Sequence, residues 1–153
     1  MKVLIVLVAV FAISSLISRL TMHSWNVVFA GNMAMCLMLC FTALGHFLFT
    51  KGMVMMIPPF IPYKAAWVHI TGVAEILLGL ALLAPALRPY AGWILIVFFV
   101  LILPANIYAA SQHLNLEKAT YTGPGLAYLW FRIPEQVLYI IWVYYFTISR
   151  GAF

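Results

Sequence analysis

The clearest indication of the fold comes from the segment His69-Ile-Thr-Gly-Val-Ala-Glu-Ile-Leu-Leu-Gly-Leu-Ala-Leu-Leu-Ala-Pro85. It is apolar over nearly its whole length, which is typical of a membrane-spanning helix, and it carries one carboxylic acid, Glu75. A charge at that depth is costly in lipid, so Glu75 is expected to face the interior of a helical bundle and to find a partner there. Gly72 and Gly79 on the same helix allow neighbouring helices to approach closely. An ionisable residue in such a place marks a candidate functional site.

The composition indicates an integral membrane protein. Of the 153 residues, 67% are hydrophobic and only 7% are charged, whereas soluble domains carry about 25% charged residues. The apolar runs are continuous and do not alternate, which favours an all-α helical bundle over a β-barrel. No stretch is polar enough for a separate soluble domain, so residues 1–153 are predicted to form a single membrane domain. The net charge of +5 is expected in loops that anchor the bundle, and it does not indicate nucleic-acid binding.

Five membrane-spanning helices are predicted. The first follows Lys2 and is either a retained helix or a signal peptide; because no clear Ala-x-Ala cleavage site follows it, the retained helix is favoured. Five spans place the two termini on opposite sides of the membrane, and a small excess of basic residues places the N-terminus inside. The predicted spans cover about residues 3–20, 28–49, 66–84, 91–109 and 126–148.

The connection after the second span, residues 50–64, is apolar but contains three prolines. Pro58, Pro59 and Pro62 exclude a regular helix across them. The segment is therefore expected to be a loop that lies against the membrane or covers one end of the bundle like a lid. Tyr63 is expected to lie at the membrane interface, as is Trp67 shortly after it.

The polar residues of the predicted spans concentrate in one half of the bundle. At about 1.5 Å of rise per residue, Glu75 and Glu135 lie roughly 10–15 Å inside the membrane. The other half is predicted to be almost wholly apolar. The candidate catalytic residues are Glu75, His46 and Arg132. The candidate ligand-binding residues are His69, Asn106, Glu135 and Gln136.

A purely structural role is the alternative for each of these residues. Arg132 and Glu135 are three positions apart and can satisfy each other on one helix face. Glu75 is the hardest to explain in this way, because no basic residue lies three or four positions from it on its own helix. Its partner is expected to be Arg132 or His46, unless Glu75 is protonated. Placement at the interface or bridging between helices is the alternative for His46, His69 and Asn106.

A buried pocket of His, Glu, Arg and Asn side chains beneath an apolar lid suits an amphipathic ligand such as a quinone. The polar groups would bind carbonyl oxygens and exchange protons, and aromatic and Met side chains would hold the tail. Two histidines on different helices leave haem or a metal ion open as well. No spacing is diagnostic of either, so no metal ligand is assigned. Cys36 and Cys40 are one helical turn apart, which suits neither a redox dithiol nor a zinc site, and they are predicted to be packing residues.

Five short motifs resemble, in their order, the DoxX-like family of small bacterial membrane proteins. They are Phe41-Thr-Ala-Leu-Gly-His-Phe47, Met56-Ile-Pro-Pro-Phe-Ile-Pro62, Val68-His-Ile-Thr-Gly-Val-Ala-Glu-Ile-Leu-Leu-Gly79, Leu103-Pro-Ala-Asn-Ile107 and Phe131-Arg-Ile-Pro-Glu-Gln136. The resemblance covers about residues 28–146. It implies a four-helix core made of spans two to five, with the first helix as an addition, in the bacterial cytoplasmic (inner) membrane. Glu135 departs from the family pattern, where an apolar residue is expected, and makes the pocket more acidic.

The resemblance also implies a redox-linked role, because relatives include subunits of a thiosulfate:quinone oxidoreductase and membrane partners of oxidative-stress enzymes. The leading hypothesis is therefore a quinone-associated subunit of a membrane oxidoreductase. Its expected partners are the lipid bilayer and a membrane or peripheral protein, and a homo-oligomer is left open. The alternatives are a non-catalytic assembly or scaffold protein, whose polar cluster only fixes helix packing, and a small permease.

Overall fold

The computed structural model describes residues 2–23 and 25–150. Its α-helices are α1 (Lys2–Met22), α2 (Val27–Leu48), α3 (Thr50–Met55), α4 (Lys64–Ala81), α5 (Arg88–Ser111) and α6 (Leu129–Val143). A 3₁₀ turn, Gly125–Tyr128, leads into α6, and a π-helical segment, Tyr144–Ser149, follows it directly. The part of the chain that the structure describes contains no strand, only an isolated bridge between Asn115 and Thr120. The prediction of an all-helical fold is confirmed.

Four helices, α1, α2, α4 and α5, are long and apolar enough to cross a membrane. They contain 21, 22, 18 and 24 residues. At about 1.5 Å per residue they measure roughly 27–36 Å, close to the roughly 30 Å hydrocarbon thickness of a bilayer. Large aliphatic side chains are exposed on their outer faces, among them Ile5, Leu20, Leu77 and Leu101. Helices of this length with apolar outer faces match a membrane-spanning bundle in length and composition.

The bundle is assembled around α2. This helix packs against α1 on one side and α4 on the other, while α5 packs against α6 and its π-helical continuation. The side chain of Leu7 on α1 is completely buried in the same core as Met35 and Leu39 of α2. The ring of Phe11 meets the ring of Trp142 edge-on, with 5.1 Å between their centroids. The first helix is therefore packed into the bundle.

One end of the bundle, here called the α3 end, contains α3, the ends of α2 and α5, and the starts of α1, α4 and α6. An ion pair joins the Nζ atom of Lys2 to the Oε1 atom of Glu117 at 2.7 Å, which ties the start of α1 to the loop after α5. Exposed aromatic residues collect at this end and at the opposite end, as in the interfacial belts of membrane proteins. At the α3 end they include Phe60, Tyr63, Trp67, Tyr121 and Trp130, and at the opposite end Trp25, Tyr90 and Trp93.

The connection predicted to be a loop over residues 50–64 is helical in its first part. Its prolines begin only at Pro58, so nothing prevents Thr50–Met55 from forming α3. The hydroxyl of Thr50 donates to the carbonyl oxygen of His46 at 2.7 Å and ties α3 to the end of α2. At Gly52, an added Cβ would overlap the backbone carbonyl of Leu116, so only glycine allows α3 to pack this closely on the loop after α5.

The third predicted span ends earlier than expected. The helix α4 stops at Ala81, three residues before the predicted end, and turns fill the connection to α5. The Nε atom of Arg88 donates to the carbonyl oxygen of Leu82 at 2.9 Å. A basic side chain that bonds one of the last carbonyls stabilises a helix end, and Pro85 prevents the helix from continuing.

The half of the bundle away from α3 was expected to be almost wholly apolar, and this expectation is wrong. Asn32 on α2 is 1% exposed and donates from Nδ2 to the carbonyl oxygen of Phe146 at 3.0 Å. The hydroxyl of Thr147 donates to the Oδ1 atom of Asn32 at 2.8 Å. Nearby, the indole nitrogen of Trp142 donates to the carbonyl oxygen of Gly31 at 3.0 Å. These bonds fasten the end of α6 and the π-helical segment to α2.

Candidate functional site

A cavity of about 750 Å³ lies between α2, α4, α5 and α6 at the α3 end. Its volume is in the range of small-molecule sites, which is roughly 300–1,000 Å³. Apolar side chains form most of its wall, including Met38, Phe49, Met53, Phe98, Phe99 and Ile102. The polar side chains that line it within the membrane-spanning region are Thr42, His46, Thr71, Glu75, Asn106, Arg132, Gln136 and Tyr139. The site is thus an apolar chamber with polar groups from four helices.

Glu75 is paired with His46 across the interface between α4 and α2. The Nε2 atom of His46 lies 3.6 Å from the Oε1 atom of Glu75, close enough for an ion pair and too long for a direct hydrogen bond. The Nδ1 atom of His46 lies 2.8 Å from the carbonyl oxygen of Val68. Because a carbonyl only accepts hydrogen bonds, Nδ1 carries a hydrogen, and Nε2 is the ring nitrogen that faces Glu75. Of the two expected partners of Glu75, the structure places His46 beside it and Arg132 elsewhere.

The hydroxyl of Thr42 can keep its hydrogen bond to Glu75 whether the carboxyl group is ionised or protonated. Its hydroxyl lies 2.8 Å from the Oε2 atom of Glu75 and 2.9 Å from the carbonyl oxygen of Leu39. When Glu75 is a carboxylate, Thr42 donates to it. When Glu75 carries a proton on Oε2, Glu75 donates to Thr42 and Thr42 donates to Leu39 instead. No hydrogen bond at Oε2 is lost in either state.

Arg132 and Glu135 satisfy each other, as their spacing on one helix allows. The Nη1 atom of Arg132 donates to the Oε2 atom of Glu135 at 2.7 Å, and the hydroxyl of Tyr139 donates to Oε1 at 2.8 Å. Glu135 is 4% exposed and does not line the cavity, whereas Arg132 and Tyr139 do. Glu135 therefore holds two side chains of the cavity wall in place.

Gln136 and Asn106 face the cavity with unused hydrogen-bonding capacity. The Nε2 atom of Gln136 donates to the carbonyl oxygen of Phe99 on α5 at 2.8 Å. Its Oε1 atom is buried without a hydrogen-bond partner in the described chain, as is the Nε atom of Arg132. Asn106 is 6% exposed, and its side chain makes no hydrogen bond to the residues that the structure describes. Of these groups, the side chain of Asn106 lines the cavity with hydrogen-bonding capacity left for a ligand.

His69 lies outside the cavity. Its ring is exposed and stacks on the ring of Phe47 on the outer surface, with 5.6 Å between centroids. The residues of α4 that reach the cavity include Val68, Thr71 and Glu75, which recur every three or four positions on one helix face. His69 is turned about 100° from Val68 and points to another face.

Sequence reasoning missed Thr42, Thr71 and Tyr139. Thr42 precedes His46 by four positions on α2, and Tyr139 follows Glu135 by four positions on α6. Residues four apart share a helix face, so this spacing was a usable signal for both. The contact of Thr42 with Glu75 crosses between helices, and no spacing along the chain predicts it.

The rim of the cavity is charged at the α3 end. Lys2 and Glu117 line it together with Val3 and Leu116. Both charged side chains are exposed, and the Lys2 ammonium group lowers the pKa of Glu117 through their hydrogen bond and charge attraction.

The side chains that could bind a metal ion form no metal centre in the described ranges, 2–23 and 25–150. No three His, Cys, Asp or Glu side chains there are grouped so that they could hold a metal ion. Cys36 and Cys40 are both free thiols, and Cys36 is buried.

No curated protein and no solved structure matches the chain significantly. The sequence model of one family, described as a domain of unknown function, matches residues 35–147. The match covers most of the chain and includes every polar side chain of the cavity from Thr42 to Tyr139, whereas α1 lies outside it. The chain therefore belongs to the DUF8561 family.

Proposed function

We propose that this chain is a redox-linked membrane subunit that binds a quinone-like ligand in the cavity. The observation that carries the proposal is the pairing of a buried carboxyl group with an imidazole inside an otherwise apolar chamber. A quinone needs both parts, because its head group exchanges protons and its tail is as apolar as lipid. Glu75 and His46 exchange a proton with one oxygen of the head group, and Asn106, Arg132 and Gln136 bind the other.

The proposed arrangement is the DoxX-like bundle of five spans. The fifteen residues of α6 and the six residues of the π-helical segment follow without a break and together form the fifth crossing. At about 1.5 Å per residue they reach roughly 30 Å. Each of the five motifs that resemble the DoxX-like family contributes to the cavity wall, and one such residue from each is His46, Met56, Glu75, Asn106 and Arg132. This convergence supports the resemblance and a site shared by all five motifs.

In this proposal, a partner protein supplies or receives the electrons of the redox reaction. Reduction of a quinone to a quinol takes up two electrons and two protons. The groups proposed here bind the head group and exchange protons, and an associated oxidoreductase protein supplies or receives the electrons. The chain is accordingly proposed to act as a membrane subunit in the bacterial cytoplasmic membrane, with its ligand drawn from the bilayer.

The test is native mass spectrometry of protein extracted gently from its own membrane, as wild type, Glu75→Gln and Glu117→Gln. Glu117→Gln is a matched control, because it makes the same chemical change at the exposed rim. We expect a bound quinone in the wild type and in the control, and its loss in Glu75→Gln with unchanged helical content. A quinone retained by Glu75→Gln contradicts the proposed role of the carboxyl group.

A scaffold role is the second candidate, and one observation favours it. Arg132, Glu135 and Tyr139 bond to one another, so part of the polar cluster is satisfied without a ligand. If the same spectra show no quinone in any of the three proteins but a bound partner subunit that Glu75→Gln releases, the polar cluster serves assembly.

A further inference from the structure

The cavity has an opening on its side, where the start of α1 meets the end of α2. Three exposed side chains of α2, Phe41, Leu44 and Leu48, line the cavity, and so does Val3 of α1. A side chain that lines a cavity and is also exposed on the outside of the bundle lies at an opening. These four side chains are hydrocarbon throughout. The side opening is therefore apolar, unlike the charged rim at the α3 end.

The side opening lies where one face of α2 becomes uncovered toward the α3 end. Ala34, Phe41 and Leu48 follow one another at seven positions, so they lie on nearly the same face of the helix. Ala34 is 0% exposed and belongs to the same core as Leu7 of α1, whereas Phe41 is 41% and Leu48 is 72% exposed. The face that is buried deeper in the bundle is thus progressively exposed over the last two turns of α2.

The side opening belongs to the part of α2 that hydrocarbon surrounds when this helix crosses a membrane, as its length and composition allow. Phe41 and Leu44 precede the last residue of α2, Leu48, by seven and four positions. At about 1.5 Å per residue they lie roughly 10 and 6 Å from that end of the helix. The hydrocarbon layer of about 30 Å covers nearly the whole of a helix of this length. The side opening then joins the cavity to the lipid tails of one leaflet.

We propose that the ligand of the cavity is a long-chain amphiphile, whose head group binds beside Glu75 and His46 and whose tail leaves through the side opening into the bilayer. An apolar tail is stable where it stays out of water, and the side opening gives it apolar side chains on one side and lipid on the other. This inference rests on the proposed function. It goes further by placing the tail between α1 and α2 and by making Phe41 and Leu44 its contacts.

The first experiment locates the tail directly. A ubiquinone analogue whose ten-carbon tail ends in a diazirine is bound to the full chain in nanodiscs and activated by light, and the labelled peptides are mapped by mass spectrometry. We expect labels on α2 between Phe41 and Leu48 and on the first two turns of α1. An excess of decyl-ubiquinone should abolish these labels, which separates bound probe from probe dissolved in the bilayer.

The second experiment narrows the side opening. Leu44→Trp adds bulk there, and Leu37→Trp is the matched control, because Leu37 is exposed on nearly the same face of α2 but does not line the cavity. Dissociation constants are measured for decyl-ubiquinone and for dimethoxy-methyl-benzoquinone, the same head group without a tail. We expect Leu44→Trp to weaken decyl-ubiquinone by about fivefold or more, as overfilling of a site does. The tail-less quinone should bind unchanged, and Leu37→Trp should bind both as the wild type does.

The inference and the proposed function fail in different ways. A competed label confined to α4 or α5 places the tail elsewhere and overturns the inference. An equal loss of both quinones in Leu44→Trp, or the same decyl-ubiquinone affinity in Leu44→Trp and Leu37→Trp, also overturns it, and the head-group site then stands. If neither quinone binds the wild type and no label is competed, the proposed function itself fails. If Leu44→Trp does not fold, the label map of the wild type decides.

Discussion

At Glu75, three contacts decide how the carboxyl group behaves inside the membrane. The carbonyl oxygen of Val68 fixes the orientation of the His46 ring, the Nε2 atom of that ring faces Glu75, and the Thr42 hydroxyl lies 2.8 Å from the other carboxyl oxygen. A charged side chain in lipid is tolerated when its partners come from within the bundle. Because a hydroxyl can donate or accept, Thr42 can keep its hydrogen bond to Glu75 while the carboxyl group gains or loses a proton, as the proposed proton exchange with a ligand requires.

The change Thr42→Val tests this arrangement with little change in shape. Valine leaves the Oε2 atom of Glu75 without its hydroxyl partner. We expect the free energy of unfolding to fall by about 1–3 kcal/mol, the usual cost of leaving a buried polar group unpaired. Thermal unfolding in detergent, followed by circular dichroism, measures this. Thr21→Val is the matched control, since the Thr21 hydroxyl bonds only the carbonyl of Ile17 at an exposed position. Equal effects of the two changes would argue against a special role for Thr42.

Gly72 on α4 allows the side chain of His46 to pack closely against that helix. An alanine Cβ at this position would lie 2.8 Å from the Cβ atom of His46 and 3.1 Å from its Cγ atom. We expect Gly72→Ala to destabilise the protein by about 1–3 kcal/mol, the usual cost of overpacking, although alanine is the better helix former. At Gly45 the new Cβ meets the flexible end of Met53 at 3.4 Å and the ring of Phe49 at an ordinary contact distance of 3.9 Å. Gly45→Ala should therefore be neutral or stabilising in the same unfolding assay, and a loss equal to that of Gly72→Ala would contradict the steric argument.

Among the elements, the C-terminal helix, α6 with the turns before and after it, is the least regular. Its first turn is a 3₁₀ turn, Pro134 lies inside α6, and its last six residues form a π-helical segment. A π-helical segment is rare and leaves backbone groups that other parts of the protein must satisfy. Asn32 does so by bonding the carbonyl oxygen of Phe146 and the hydroxyl of Thr147.

A double-mutant cycle of Asn32→Ala and Thr147→Val measures this attachment. If the two side chains stabilise the helix pair directly, the double variant should be more stable than the sum of the single losses predicts. The expected coupling energy is about 0.5–2 kcal/mol, the range for hydrogen bonds between membrane helices. The four proteins are compared by unfolding midpoint under identical detergent conditions. Strict additivity would mean that the bond between Asn32 and Thr147 contributes nothing to the packing.

The elements also show what the sequence could predict. The long apolar runs of the sequence predicted α1, α2, α4 and α5, because length and hydropathy are enough to identify a membrane-spanning helix. Counting depth from the span ends placed His46, Glu75 and Asn106 in one half of the bundle. The faces of the helices were harder to predict, because a helix that is apolar on all sides has no periodicity to show which side points inward. His69 was assigned to the site for that reason.

Contacts between helices could not be predicted from the sequence, for a second reason. The bond from Thr42 to Glu75 joins residues 33 positions apart, and the bond from Thr147 to Asn32 joins residues 115 positions apart. Only the packed arrangement of helices brings them together. The polar network in the opposite half was missed because Asn32 and Thr147 are single polar residues in apolar surroundings, and only their pairing makes them a network.

At the scale of the whole molecule, the placement of charge predicts the orientation in the membrane. Basic residues at the α3 end outnumber those at the opposite end, and basic loops remain in the cytoplasm. With Cys36→Ala and Cys40→Ala as background, Lys118→Cys marks the α3 end and Ala86→Cys the opposite end, both at exposed positions. We expect a maleimide that does not cross membranes to label Ala86→Cys in intact bacterial cells, and Lys118→Cys only after lysis. The reverse pattern would place the rim of the cavity, with Lys2 and Glu117, outside the cytoplasm. If the electron-transfer partner proposed above docks at this rim, that partner would then have to be sought on the external side of the membrane.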